Sequence, residues 1–220
     1  MERGFKFSVN QYYHLYNRGV EKREIFLNNS DYYRFLKLLY LCNSHKPVDF
    51  DNLSESEGRS FRCFEYDRGD VLVDIGAYVL MPNHFHILIK EKGDGGITKF
   101  MKKVCTGYSM YFNKKYKHSG TLFQGRFQAT HLVEDRLLEY IYSYIHLNPV
   151  KIIEPNWKKN GIKKMSDVKK FLDGYVFSSY LDYKNDLKRE LSSILNTEAF
   201  PGYFGTKREF SDMLDFWLDF

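Results

Sequence analysis

Residues 74–90, DIGAYVLMPNHFHILIK, constrain the fold of this chain more than any other stretch. Asp74 to Met81 is almost unbroken apolar sequence, which is what a strand covered on both faces requires. Pro82 and Asn83 form a turn, and His84 to Lys90 alternates as a second strand, so the pair predicts a β-hairpin. A doubly covered hairpin must sit inside a sheet with packing layers on each side.

The flanking sequence supplies those layers. Tyr12 to Arg18 (YYHLYNR) is short and aromatic and ends at Gly19, so it reads as a strand. Ser30 or Asp31 caps a helix that carries Tyr33, Phe35, Leu36, Leu38, Leu39 and Leu41. After a Gly-rich turn, Ile97, Phe100, Met101, Val104, Tyr108, Tyr111 and Phe112 follow the three- and four-residue steps of an amphipathic helix that ends at Ser119-Gly120. Residues 121–133 read as extended, and Asp135 opens a helix through Asn148 that Pro149 stops. The order strand, helix, two strands, helix, strand, helix predicts an α+β fold, a ferredoxin-like antiparallel sheet with helices packed on it. Residues 1–150 are expected to form this domain and 151–220 a mainly helical C-terminal extension ending in the amphipathic stretch of Phe210, Met213, Leu214, Trp217 and Leu218.

At 220 residues the chain is ample for a real core. No run of about 18 apolar residues could span a bilayer, so no membrane partner is expected. The opening residues hold no apolar signal core, and the expected location is cytoplasmic. Three cysteines, Cys42, Cys63 and Cys105, lack any CxxC spacing and read as reduced thiols.

A net charge of +5 combines with 18 Tyr and 19 Phe, a composition that points toward nucleic acid. The basic residues cluster. From Ile97 to Thr130 there are seven cations, including Lys99, Lys102, Lys103, Lys114, Lys115 and Arg126, and no Asp or Glu. This strip is a candidate DNA-binding segment; its plainer account is a solvated helix face. Near residues 48–60 the bias reverses, with Asp49, Asp51, Glu55 and Glu57 among Ser, Asn and Gly, which reads as a solvated loop or insertion.

Alternation along a strand puts His84 and His86 on one face and Phe85, Ile87 and Ile89 on the other. Two imidazoles side by side suit a divalent cation, although a lone His-x-His pair among seven histidines is more often coincidence. On the helix from Asp135, the stripe Leu137, Leu138, Ile141 and Ile145 marks the buried face. Asn148 falls within that stripe and Tyr144 at its edge, one turn earlier. A buried amide needs a partner, and a metal would be one. Read from the residues alone, the plainer account is that these tyrosines pack and that Asn148 caps the helix.

Five segments together carry a resemblance: NRG (17–19), YVLMPNHFHILI (78–89), SGTLFQGRFQA (119–129), YIHLNPVK (144–151) and YVFSSY (175–180). In this order they are similar to the IS200-like single-tyrosine transposases, nearest their REP-associated branch. The resemblance implies a Mg²⁺ or Mn²⁺ ion held by His84 and His86, with Asn148 standing where the insertion-sequence prototypes carry Gln. It implies Tyr144 as the nucleophile on a DNA phosphate, with a 5′-phosphotyrosine link and a free 3′-hydroxyl as products. Because the ester is exchanged rather than hydrolysed, strands can be rejoined without ATP. Arg18 and Arg126 lie within the matching motifs and join the lysines as expected DNA contacts. The implied partner is single-stranded or hairpin DNA, and one tyrosine per chain implies a homodimer where two ends are processed.

Two other functions fit the same residues. One is a metal phosphodiesterase in which the histidines activate water. The other is a nucleic-acid-binding module that does not cut.

Overall fold

The computed structural model describes residues 5–47, 62–185, 188–203 and 206–218. The expected acidic insertion at 48–60 lies outside them. Four strands, β1 (Tyr12–Arg18), β2 (Val73–Met81), β3 (His84–Glu91) and β4 (Gln128–His131), form one sheet in the order β2-β3-β1-β4, and every pair is antiparallel. This is the ferredoxin-like strand order. The β2-β3 hairpin closes with Met81 opposite His84, as the turn chemistry of Pro82-Asn83 predicts.

Helices α1 (Asn29–Leu41) and α2 (Gly96–Tyr116) cover one face of the sheet. Their apolar stripes enclose Tyr13, Leu15, Phe85, Ile87 and Ile89 in the larger core. Helix α3 (Asp135–Leu147) covers the other face and packs Leu138, Ile141 and Ile145 against Ala77, Val79, Met81 and Leu88. Strand β2 is buried along its whole length because both layers press on it.

Three local features depart from the sequence reading. Helix α1 is capped by Asn28, not by Ser30 or Asp31; Asp31 is its third residue and returns a bond to the cap backbone, completing a capping box. Only residues 128–131 of the extended stretch form a strand, pairing with Tyr13 to Tyr16 of β1, while Phe123 makes a single bridge to Gly19. Pro149 does not end the helical path: it keeps helical backbone angles and opens α4 (Val150–Ile153), a first-turn position where a missing N–H costs nothing.

The C-terminal region is helical, with α5 (Trp157–Asn160), α6 (Met165–Gly174), α7 (Tyr180–Lys184) and α8 (Lys207–Leu218). It grips the sheet at several points. Leu80 donates its backbone N–H to Phe177, and Tyr183 donates its hydroxyl to the Gly76 carbonyl at 2.6 Å. Gly76 sits at a bulge in β2, where an added Cβ would lie 2.8 Å from the Phe200 ring. Glycine is required there by that close approach. Among the described residues no helix is long and apolar enough to cross a membrane.

Candidate active site

The five motif segments are distant in sequence and contiguous in space. Asn17 is buried and donates to the Gly125 carbonyl at 3.3 Å, while Gln124 N–H donates to Arg18 O at 2.8 Å. Gly19 N–H donates to Asn83 O at 2.9 Å, so NRG, PNH and FQGR are knitted around one end of the sheet. Behind them, buried His146 of α3 shares a 2.8 Å hydrogen bond with Ser179, which also bonds the Tyr78 backbone. The YVFSSY segment thereby fixes α3 against β2.

His84 and His86 share the face that α3 covers, their ring centroids 5.0 Å apart. The Asn83 side-chain oxygen accepts from His84 Nδ1 at 2.6 Å, which leaves Nε2 with its lone pair. His86 is buried, and its Nε2 has no hydrogen-bond partner among the described residues. Asn148 is 1% exposed, and both polar atoms of its amide are likewise without a partner of good geometry. Buried polar atoms of this kind are rare without a reason. Tyr144, one turn before Asn148, stands with its ring 5.2 Å from that of His86 and edge-on to it. The structure therefore brings His84, His86, Asn148 and Tyr144 into one cluster.

Electrostatics suit a cation. Burial lowers the pKa of His84 to about 4; the nearby Asn148 amide opposes this, and the charges of Lys151 and Arg18 reinforce it. Burial also holds His86 well below the usual imidazole range, helped by His14, His84 and Lys151. Both rings are neutral near pH 7, the form that binds metal. Burial raises the Tyr144 phenol above its ordinary value, with Asn148 acting in the opposite direction. Two neutral imidazoles and an amide oxygen could hold a divalent cation, and the unmatched atoms of His86 and Asn148 are ones such an ion would satisfy. Among the described residues no three His, Cys, Asp or Glu side chains form a metal group.

One residue of this cluster escaped the sequence reading. His14 on β1 is buried, and its Nε2 lies 2.9 Å from His86 Nδ1. The signal was present in YYHLYNR, where alternation places Tyr12, His14, Tyr16 and Arg18 on one face. Only the β1-β3 pairing, with Tyr16 opposite His86, shows that this face is the one bearing the histidine pair.

The expected DNA-binding cations are dispersed. Arg18 faces His84 across the β1-β3 register and bonds Gln124. Arg126 is exposed just before β4. The five lysines lie on α2, which packs against the opposite face of the sheet from the histidine pair. Lys99, Lys102 and Lys114 are exposed. Lys103 donates to the carbonyls of Ser44 and Lys46, and Lys115 forms a 2.6 Å ion pair with buried Asp31. Closer to Tyr144 are two cations not singled out from the sequence: Lys151 and Lys158, whose ammonium groups lie 5.1 and 5.2 Å from the centre of its ring.

The chain is similar to known proteins over the stretch that carries these residues. Residues 59–148 match the family model described as "Transposase IS200 like", a span that contains His84, His86, Tyr144 and Asn148. Among solved structures, a REP-associated tyrosine transposase bound to a REP hairpin superposes with a TM-score of 0.54 at 15% identity, covering 83% of this chain and 84% of that one. A protein of Deinococcus radiodurans R1 assigned as a transposase aligns with a TM-score of 0.35 at 14% identity, over 66% of this chain and 94% of that one. No curated protein matches the sequence.

Proposed function

We propose, from the match of residues 59–148 to the IS200-like transposase model, that the chain is a metal-dependent single-stranded DNA transesterase with Tyr144 as its nucleophile. The observation that carries this reading is the placement of Tyr144 against His86 and one turn from Asn148, so that a phosphate drawn to the histidine and amide donors is presented to the phenol. A divalent ion bound there by His84, His86 and Asn148 would polarise the scissile phosphate. The chain's own residues do the rest. Asn83 fixes the His84 ring, His14 fixes that of His86, and α3 carries nucleophile and amide ligand on one rigid element. Lys151 and Lys158 place their ammonium groups over the face of the Tyr144 ring, where they would attract the phosphodiester.

In the reaction, Tyr144 Oη forms a bond to phosphorus as the bond from phosphorus to the 3′-oxygen breaks. The products are a 5′-phosphotyrosine link and a 3′-hydroxyl, and the reverse exchange rejoins a strand. The transposase of similar fold is bound to a REP hairpin, which favours hairpin-forming repeats of the REP-associated kind as substrate here. Each copy holds one covalent strand, so processing two ends at once takes two copies.

Incubation with single-stranded hairpin oligonucleotides and Mn²⁺ tests the proposal. A protein-DNA adduct that survives denaturing electrophoresis is expected, and it should be lost on chelation. Cleavage without an adduct would favour the water-activating phosphodiesterase; binding without cleavage would favour a non-cutting module.

A further inference from the structure

Trp157 and Trp217 are the two tryptophans of the chain, and both line a cavity of about 200 Å³ beside Tyr144. We propose that this cavity is a slot for the base of the nucleotide adjoining the scissile phosphate. Its position next to that phosphate rests on Tyr144 being the nucleophile.

Location is the first argument. Tyr144 and Asn148 themselves line the cavity, so a group seated in it is one nucleotide from a phosphate at the metal donors. The second is the chemistry of the walls. Tyr140 and Trp217 meet edge to face at 5.2 Å between ring centres, and Trp157 completes an aromatic lining suited to a flat heterocycle. Lys158 lies within 5.8 Å of the ring centres of Tyr140, Tyr144 and Trp157, Lys151 stands beside it over Tyr144, and no carboxylate lines the cavity. Aromatic walls with two cations and no anion complement a base attached to a phosphodiester.

The third argument is a donor that a base would match. Trp157 is 5% exposed, and its indole N–H is buried without a partner among the described residues. An indole nitrogen only donates, so its complement is an acceptor, which every base presents, as ring nitrogens in adenine and as carbonyls in thymine, cytosine and guanine. An apolar side chain from a protein partner would leave that donor and both lysines unmatched.

The full chain carrying Tyr144→Phe allows binding to be measured without covalent chemistry. Short oligothymidylate, oligoadenylate and an abasic deoxyribose-phosphate oligomer of equal length serve as probes, with tryptophan emission and the anisotropy of a labelled end as readouts. Oligothymidylate should quench the emission, whereas the abasic oligomer should leave it unchanged even at saturation. Trp217→Ala should weaken oligothymidylate binding about tenfold and leave abasic binding alone. Lys158→Ala should weaken both, and Trp157→Phe, which removes the N–H donor, should weaken binding of the base-bearing oligomers and leave abasic binding alone. Equal emission changes with abasic and base-bearing oligomers, or no binding of either, would overturn the slot. Adduct formation by the unsubstituted chain is scored separately: base-dependent quenching without an adduct removes the nucleophile and keeps the slot, and an adduct without such quenching does the reverse.

Discussion

His14 Nε2 lies 2.9 Å from His86 Nδ1, and this one contact between β1 and β3 decides which nitrogen of His86 is free. A single proton lies between the two rings. If His14 held it, the His86 Nε2–H would be buried with no acceptor, a costly arrangement. With His86 donating, its Nε2 lone pair is left for a cation, and His14 acts through its neighbour as a positioning residue. His14→Ala should weaken Mn²⁺ binding by about 10- to 100-fold in calorimetric titration, while His14→Gln, which keeps an acceptor, should recover part of the loss. Unchanged affinity in the alanine variant would remove this role.

Asn148 is buried beside His84 and Tyr144, and neither polar atom of its amide makes a hydrogen bond of good geometry, so an ion bound to its oxygen would add stability. Asn148→Leu should leave the metal-free melting temperature unchanged or raised, and should abolish the further rise that Mn²⁺ gives the parent chain. A variant that melts lower without metal would identify the amide as an ordinary structural group.

Replacing Tyr144 by Phe removes one oxygen and keeps the ring packed against His86. Adduct formation should disappear with DNA affinity retained. Tyr108 and Tyr111 do not compete for this role, since their hydroxyls are committed to Ile25 O and Asp31 on the other side of the sheet. An adduct mapped by mass spectrometry to either of them would refute the assignment.

Asp31 is buried beneath Lys115, Tyr111 and Tyr116. Burial would raise its pKa, but the bonds from Lys115, Tyr116, the Leu27 backbone and Tyr111 outweigh it and hold the carboxyl below its ordinary value. A depressed folded-state pKa gives stability that is present above the unfolded value of about 3.9 and is lost as pH falls through the folded value. Asp31→Asn should therefore cost about 2 kcal/mol near pH 7, less than a fully buried pair because Lys115 is partly solvated. The gap to the parent chain in urea unfolding should narrow below about pH 3.9.

The α2 lysines separate into two kinds. Lys103 and Lys115 bind groups of their own chain, so alanine there should lower stability. Lys102 and Lys114 are exposed; if they meet phosphates, replacing both should reduce the slope of log affinity against log salt by about 2 and leave adduct formation at saturating DNA intact. An unchanged slope returns them to a solvated helix face.

The sequence by itself determined the hairpin, the helix stripes and the shared face of His84 and His86, because strand and helix periodicity are local and the buried side of each element is written in its own residues. It also placed Asn148 in the apolar stripe of α3 with Tyr144 at the edge. Only the tertiary structure decided which strand lies beside the histidine pair, and with it that His14 touches His86, since strand pairing joins residues 72 positions apart through contacts no local pattern encodes. The same holds for charge. Periodicity showed the lysines of α2 to be on a solvent face, but which face of the sheet that helix covers, and that Lys151 and Lys158 rather than α2 stand over Tyr144, follows from how the layers stack.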